Sequence, residues 1–96
     1  RMKPRAVLIN VGRGGLVDEH AVLAALKYGQ LGGAGFDVLT TEPPREGNPL
    51  LARLPNLIVT PHTAWASEEA LNTMTRMIED NIRAFVSGAP TNVIAA

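Results

Sequence analysis

The residues of this sequence that could do chemistry follow three short apolar runs. Arg13 lies in a glycine-rich segment after the first run, Glu42 in a long loop after the second, and His62 directly after the third. Asp37 stands at the end of the second run. A histidine can give or take a proton near neutral pH, and a neighbouring carboxylate favours its charged form. A guanidinium can hold a carboxylate through two hydrogen bonds. This set suits proton transfer at a carbonyl or alcohol that stands next to a carboxylate.

Three strands and two helices are expected to position these groups. The apolar segments predict strands over 6–9, 33–38 and 57–60. The first is a continuous apolar run, which fits a strand covered on both faces, as in parallel sheets. A helix capped by Asp18 runs from Glu19 to about Tyr28 and joins the first two strands into a β-α-β unit.

A longer helix is predicted to begin after Ser67 and to end at Gly88. Its apolar residues recur every three or four positions, which predicts an amphipathic helix with one apolar stripe. The stripe consists of Leu71, Met74, Ile78, Ile82 and Phe85.

The predicted topology explains why the candidate residues should meet. The carboxyl ends of parallel strands lie at one edge of a sheet, and open α/β sheets bind their ligands there. The long loop 40–55 that carries Glu42 is of a length that is more often functional than idle. We therefore expect Arg13, Glu42 and His62 to line one cleft, with Asp37 beside them.

Each of these residues also has a simpler interpretation. Arg13 could be a solvated turn charge, Glu42 a loop carboxylate, and His62 the end of a strand. Asp37 closes an apolar strand and needs a partner, which a backbone amide could supply. Trp65 suits a core or an interface as well as a pocket wall. No G-x-G-x-x-G occurs in the chain, so the residues alone predict a polar site without a phosphate cradle.

Composition narrows the class of protein. The 96 residues suit a single domain, 1–96, of α/β class. Nine basic residues balance nine acidic ones, so no basic excess points to nucleic acid. No apolar run reaches the roughly 20 residues of a membrane span. Cysteine is absent, which excludes disulfides and thiolate metal ligands and suits a cytoplasmic protein. We predict no metal site.

Six short motifs together resemble a known family. They are Asn10–Gly14, Val17–Asp18, Gly33–Val38, Thr41–Pro43, Asn48–Leu50 and Thr60–His62. In this order and spacing they resemble the C-terminal signature of the D-isomer-specific 2-hydroxyacid dehydrogenases, over almost the whole chain. The continuation Ala64–Ser67 is similar to the glycerate dehydrogenase (hydroxypyruvate reductase) branch.

The resemblance implies an oxidoreductase that uses NAD or NADP. It implies hydride transfer between the cofactor and a D-2-hydroxy acid or 2-oxo acid, with glycerate and hydroxypyruvate, or glyoxylate, as substrates. Arg13 then binds the substrate carboxylate, and His62 is the acid of reduction and the base of oxidation, paired with Glu42. The cofactor-binding residues that it implies are Val11, Gly12, Arg13, Asp37, His62, Thr63, Ala64 and Trp65, with Asp37 on the nicotinamide carboxamide.

The resemblance also implies that the chain is one part of a longer enzyme. It corresponds to the second half of a doubly wound Rossmann domain, three parallel strands with helices, followed by a long C-terminal helix. The upstream cofactor-binding half and the substrate domain are then absent, and we expect the isolated chain to be inactive.

Two alternatives stay open at this point. A dinucleotide-dependent corepressor of the C-terminal-binding type shares these motifs, and the chain could also be a non-catalytic structural fragment. An upstream G-x-G-x-x-G preceded by a substrate domain would select the enzyme.

We further expect self-association into a homodimer or larger assembly, because the apolar helix stripe and the first strand's edge lack cover.

Overall fold

The computed structural model describes residues 2–94, and their contacts form two units. One unit extends to Ala64 and the other begins at Trp65. The ends of the predicted single domain, 1–96, lie outside the described residues, and that domain assignment stays a prediction.

The first unit is built on a three-stranded parallel sheet. Its strands are β1 (Ala6–Asn10), β2 (Leu31–Phe36) and β3 (Leu57–Val59), in the spatial order β1-β2-β3. Helix α1 (Glu19–Lys27) connects β1 to β2. Short 3₁₀ helices occupy Gly14–Leu16 and Pro49–Leu51. The prediction of three parallel strands with helices is therefore confirmed.

The bounds of β2 differ from those expected. The strand was predicted over 33–38, but it begins at Leu31 and ends at Phe36. Leu31 is buried and lies opposite Ala6 of β1, so the strand begins ahead of the glycines. Gly32 lies so close to the preceding segment that an added Cβ would be 2.4 Å from the carbonyl oxygen of Arg5. Gly32, just before the predicted start of the strand, thus admits a close backbone approach.

The core lies on one face of the sheet. It consists of Val22, Leu26, Leu31, Ala34, Phe36 and Leu50. The opposite face carries Val7, Ile9 and Ile58, whose exposed fractions are 62%, 69% and 69%. Within residues 2–94, the prediction that β1 is covered on both faces is therefore wrong, because helix α1 packs on only one of them.

Both predicted helix caps of α1 are present. The Asp18 carboxylate accepts the Ala21 N–H at 3.0 Å, and Gly29 ends the helix with a φ of +70°. These caps satisfy backbone groups that the helix itself leaves unpaired. The Asp18 cap fixes where α1 begins, five residues after the start of the 3₁₀ segment that follows Arg13.

The second unit contains helix α2 (Glu68–Val86). Ser67 caps it by accepting the Ala70 N–H at 3.2 Å, and Gly88, with a φ of +77°, terminates it as predicted. Its apolar stripe is exposed, from 38% at Leu71 to 75% at Phe85. The predicted long C-terminal helix is confirmed.

Candidate active site

The loops that follow β2 and β3 bring Glu42 and His62 into direct contact. Glu42 Oε2 lies 2.5 Å from Nδ1 of His62, across 20 residues of sequence. A carboxylate only accepts hydrogen bonds, so Nδ1 carries the proton in this contact. The carboxylate therefore sets both the orientation of the ring and its tautomer.

The charge of Glu42 is held in place from the other side. Its Oε1 accepts the Leu39 N–H at 2.7 Å. The Leu39 N–H and the hydrogen bond to His62 hold the pKa of Glu42 below its usual range, and the Arg13 charge adds to this. Glu42 is thus an anion at neutral pH.

The backbone of His62 is in a conformation that L residues adopt rarely. Its φ is +55°, and its N–H donates to the Thr60 carbonyl at 3.0 Å. Such a conformation persists where surrounding contacts determine it. The turn after β3 therefore needs an anchor.

Asp37 provides that anchor. Its Oδ1 accepts hydrogen bonds from the Thr60 hydroxyl and from the Thr63 N–H, the latter at 2.9 Å. Its Oδ2 accepts the Ala64 N–H at 2.7 Å. Asp37 is only 4% exposed, yet these donors replace the water it has lost. The carboxylate thus holds the residues on both sides of His62.

The pKa of Asp37 reflects these contacts. The Thr60 hydroxyl and the Ala64 N–H hold the pKa of this carboxyl below its usual range, against the opposing effect of burial. The Thr63 N–H and the nearby His62 act in the same direction as the first two groups. Asp37 is therefore charged at neutral pH.

Arg13 lies after β1, in a loop that a buried asparagine closes. Asn10 donates from its amide to the Arg13 carbonyl at 2.9 Å and accepts the Gly12 N–H at 3.1 Å. The Arg13 side chain is exposed and donates to the Gly12 carbonyl at 2.8 Å. Val11, next to it, is also exposed.

A cavity of about 540 Å³ lies at this edge of the sheet. Polar groups from Asp37, Glu42, Thr60 and His62 line it, and Leu39, Leu51, Val59 and three prolines form most of its wall. Arg13 is not among its lining residues. The prediction of one shared cleft is therefore confirmed for Glu42 and His62 with Asp37, but not for Arg13.

Sequence reasoning missed part of this arrangement. The sequence places Asn10 only in a family motif, although asparagine side chains often bond to the backbone two residues further on, as Asn10 does with the Gly12 N–H. The sequence identifies Glu19 only as the first residue of a helix, yet it is buried and bonded to the loop that carries Glu42. Trp65 is 54% exposed and belongs to the second unit, so its predicted place beside the cofactor stays a prediction.

Two classes of feature are missing from the described part of the chain. No helix among residues 2–94 is both long and apolar enough to cross a membrane. In that same range no three histidine, cysteine, aspartate or glutamate side chains are grouped so that they could hold a metal ion.

The family comparison matches the unit that carries this site. Residues 1–64 match the NAD-binding domain of the D-isomer specific 2-hydroxyacid dehydrogenases. The chain belongs to this family. Its fold is accordingly that of a Rossmann-like NAD-binding segment, followed by helix α2.

Similar proteins support the same assignment. Glycerate dehydrogenase from Methylorubrum extorquens is 60% identical over 97 residues, which cover all of this chain and 31% of that protein. An acyclic imino acid reductase, solved with NADPH and D-arginine, is 41% identical with a TM-score of 0.84, and the match covers 98% of this chain and 29% of that one.

An NADPH-dependent glyoxylate/hydroxypyruvate reductase from Sinorhizobium meliloti, solved with citrate, is 43% identical with a TM-score of 0.77. The match covers 96% of this chain and 29% of that one. The chain thus spans about three tenths of the length of these family members. Nothing in these likenesses supports the corepressor alternative.

Proposed function

We propose that this chain supplies the acid–base pair and the substrate clamp of an NAD(P)-dependent D-2-hydroxyacid dehydrogenase. The observation that carries the proposal is the contact between His62 and Glu42 at the carboxyl edge of a parallel sheet. The names of the similar proteins indicate glycerate with hydroxypyruvate, or glyoxylate, as the substrates.

His62 is the proton donor of reduction and the acceptor of oxidation. Its Nδ1 contacts Glu42, so proton exchange with the substrate oxygen is assigned to Nε2, the other ring nitrogen. Reduction of the 2-oxo group leaves a hydroxyl whose oxygen has gained this proton. The Glu42 anion stabilises the imidazolium that is needed at the start of each reduction and formed in each oxidation.

Arg13 binds the carboxylate next to the reacting carbonyl. Its guanidinium is exposed after β1, at the edge where β2 and β3 also end, and its charge acts on Glu42. A guanidinium can hold a carboxylate with two parallel hydrogen bonds, which fixes the orientation of the substrate.

The residues present fit one end of a nicotinamide cofactor. A bound nicotinamide supplies the hydride. Asp37 uses three of about four acceptor positions of its carboxylate on its own chain, so Oδ2 can accept one more N–H, as a carboxamide offers. Val11, Gly12, Thr63, Ala64 and Trp65 complete the proposed nicotinamide side. The glycine turn that cradles a pyrophosphate is not in this sequence, so that contact would come from another segment.

The test is a chimera in which this chain replaces the matching 97 residues of the Methylorubrum extorquens glycerate dehydrogenase. We expect the chimera to oxidise NADH or NADPH with hydroxypyruvate or glyoxylate. The residue that separates NAD from NADP follows the glycine turn and therefore comes from the host enzyme, so the test concerns turnover and not cofactor choice. The 96-residue chain alone should give no turnover, because it holds too few cofactor contacts. A folded chimera that is inactive in all four combinations would overturn the proposal.

We also propose that the chain associates with itself, through the exposed stripe of α2 or the edge of β1. The stripe is apolar and exposed, and among residues 2–94 β1 pairs only with β2. Such surfaces recruit other chains. A location in the cytoplasm, expected from the lack of cysteine, stays a prediction.

A further inference from the structure

Glu19 is a buried carboxylate to which the sequence assigned no catalytic role. It is the first residue of α1 and is only 9% exposed. Its Oε1 accepts the Thr40 N–H and its Oε2 accepts the Asn48 side-chain amide, both at 2.7 Å. These partners lie 21 and 29 residues further along the chain. No ion pair to Glu19 is present among residues 2–94, so the hydrogen bonds alone offset its burial.

The two partners of Glu19 stand on either side of Glu42. Thr40 precedes Glu42 in the loop, and Asn48 follows it. The Asn48 amide cannot turn around, because its oxygen already accepts the Leu50 N–H at 2.8 Å. Glu19 therefore fixes both ends of the segment 40–48 to the start of α1.

The Leu39–Thr40 peptide is where this network reaches the active site. The Leu39 N–H donates to Glu42, and the next N–H, that of Thr40, donates to Glu19. Gly14, next to Arg13, packs on the same peptide, since a Cβ there would lie 2.0 Å from the Leu39 carbonyl carbon. The loops of Arg13 and Glu42 thus meet at a backbone segment that Glu19 holds.

We propose that Glu19 is a positioning residue, which fixes the Leu39–Thr40 peptide and so holds the Glu42 carboxylate against His62. The inference rests on the proposed function, in which His62 transfers a proton. An unanchored loop would have to be ordered in each catalytic cycle, and this ordering carries an entropy cost. Glu19 removes that cost by ordering the loop in the folded chain.

The substitution Glu19→Gln tests this with little change in volume. A carboxylate only accepts hydrogen bonds, whereas glutamine must present an NH₂ group to one of two donors, Thr40 or Asn48. One end of the segment is then released. The matched control is Asp18→Ala, which removes the N-cap of the same helix but no contact to segment 40–48.

In the chimera we expect Glu19→Gln to lower kcat by about tenfold, as for residues that share one network. The rate of reduction falls as the pH rises, and in Glu19→Gln this fall should begin at a lower pH. The same change is expected of Glu42→Gln, which removes the anion next to His62. The double variant should resemble Glu42→Gln alone, because both changes disable the same pair. Asp18→Ala should keep the parental kcat and pH profile, even with a lower Tm. Asp37 and Arg13, the other charged groups acting on the pair, are unchanged throughout.

A second measurement separates this inference from the proposed function. In the 96-residue chain, the His62 ring resonances are followed by NMR over pH and assigned by their loss in His62→Asn. The titration midpoint should shift in the same direction in Glu19→Gln and Glu42→Gln, and stay parental in Asp18→Ala. A parental midpoint in Glu19→Gln, or effects that multiply in the double variant, would overturn the positioning role even if the chimera is active.

Loss of the fold is also informative. Glu19→Asp keeps the charge but is one methylene too short to reach both donors, so it should give a folded chain with a smaller shift. If both Glu19 variants unfold, the residue holds the domain as a whole, and the positioning role is wrong. An inactive parental chimera together with shifted NMR midpoints would instead contradict only the proposed function.

Discussion

Glu42 Oε2 lies 2.5 Å from Nδ1 of His62, although the two residues belong to loops that follow different strands. The loops meet because β2 and β3 are parallel neighbours and end at one edge. Each partner is held independently, Glu42 by the Leu39 N–H and the His62 turn by Asp37. Contacts within the chain therefore hold the two side chains of the pair together, in an orientation that suits acid–base catalysis.

Glu42→Gln in the chimera should move the pH dependence of 2-oxo acid reduction. The Glu42 anion favours the imidazolium, and reduction uses that proton. Without the anion, the rate should begin to fall at a lower pH. Steady-state rates across the pH range check this, and a profile that superimposes on the parental one would remove Glu42 from this role.

Arg13→Lys should weaken binding of the 2-oxo acid more than binding of the cofactor. An ammonium cannot form the two parallel bonds of a guanidinium, so KM should rise roughly 10- to 100-fold, the size of lost bonds to charged groups. Arg45→Lys, the same exchange at another exposed arginine, is the control. Equal KM values in the two variants would contradict the clamp.

Asp37→Asn should reduce turnover through the turn that presents His62. An asparagine places an NH₂ group where Thr63 or Ala64 donates, so at least one bond is lost. We expect kcat to fall roughly 10- to 100-fold. Thr60→Val, which removes one donor but leaves the carboxylate, should have a smaller effect. The opposite ranking of the two variants would show that Asp37 does not anchor the turn.

The stability of the chain should fall in acid. The pKa values of Asp37 and Glu42 are lowered in the folded state, so both stabilise it above their ordinary values near pH 4. This stabilisation is lost as pH falls through the lowered folded values. Thermal unfolding from about pH 6 to about pH 2 should show a smaller decrease in Asp37→Asn than in the parent. An equal decrease would contradict the assignment.

Self-association should depend on the stripe of α2. Ile78→Glu places a charge within the stripe, whereas Asn72→Glu places the same charge on another face of the helix. In sedimentation experiments the first variant should shift the chain towards monomer, and the second should not. A parental chain that is monomeric at high concentration would refute the expectation.

The convergence of the site could be predicted because it depends on topology. Three apolar runs and one connecting helix imply parallel strands, and parallel strands place Glu42 and His62 at the same edge. The helix ends could be predicted because Asp18, Ser67 and Gly88 act through local hydrogen bonds. The roles of these residues, by contrast, came from the family resemblance and stay predictions.

Other features could not be predicted because they depend on contacts distant in sequence. Nothing in the pattern around Glu19 reveals that its carboxylate reaches Thr40 and Asn48. Similarly, the apolar residues of β1 predicted cover on both faces, since the pattern reports what a strand can bury and not which segment covers it. Asp37 was expected to need a partner, but its three donors depend on the folded turn after β3.

The most direct test of the proposed acid–base role is His62→Asn in the chimera, with NADH or NADPH binding measured by fluorescence alongside turnover. Asparagine cannot supply the proton, so the rate of 2-oxo acid reduction should fall about 10²- to 10⁴-fold, the usual contribution of a general acid. The cofactor Kd should change far less than the turnover number, because the hydrogen bonds of Asp37 to Thr60, Thr63 and Ala64 remain. A turnover number close to that of the parent, with the fold intact, would contradict the assignment of His62 as the proton donor.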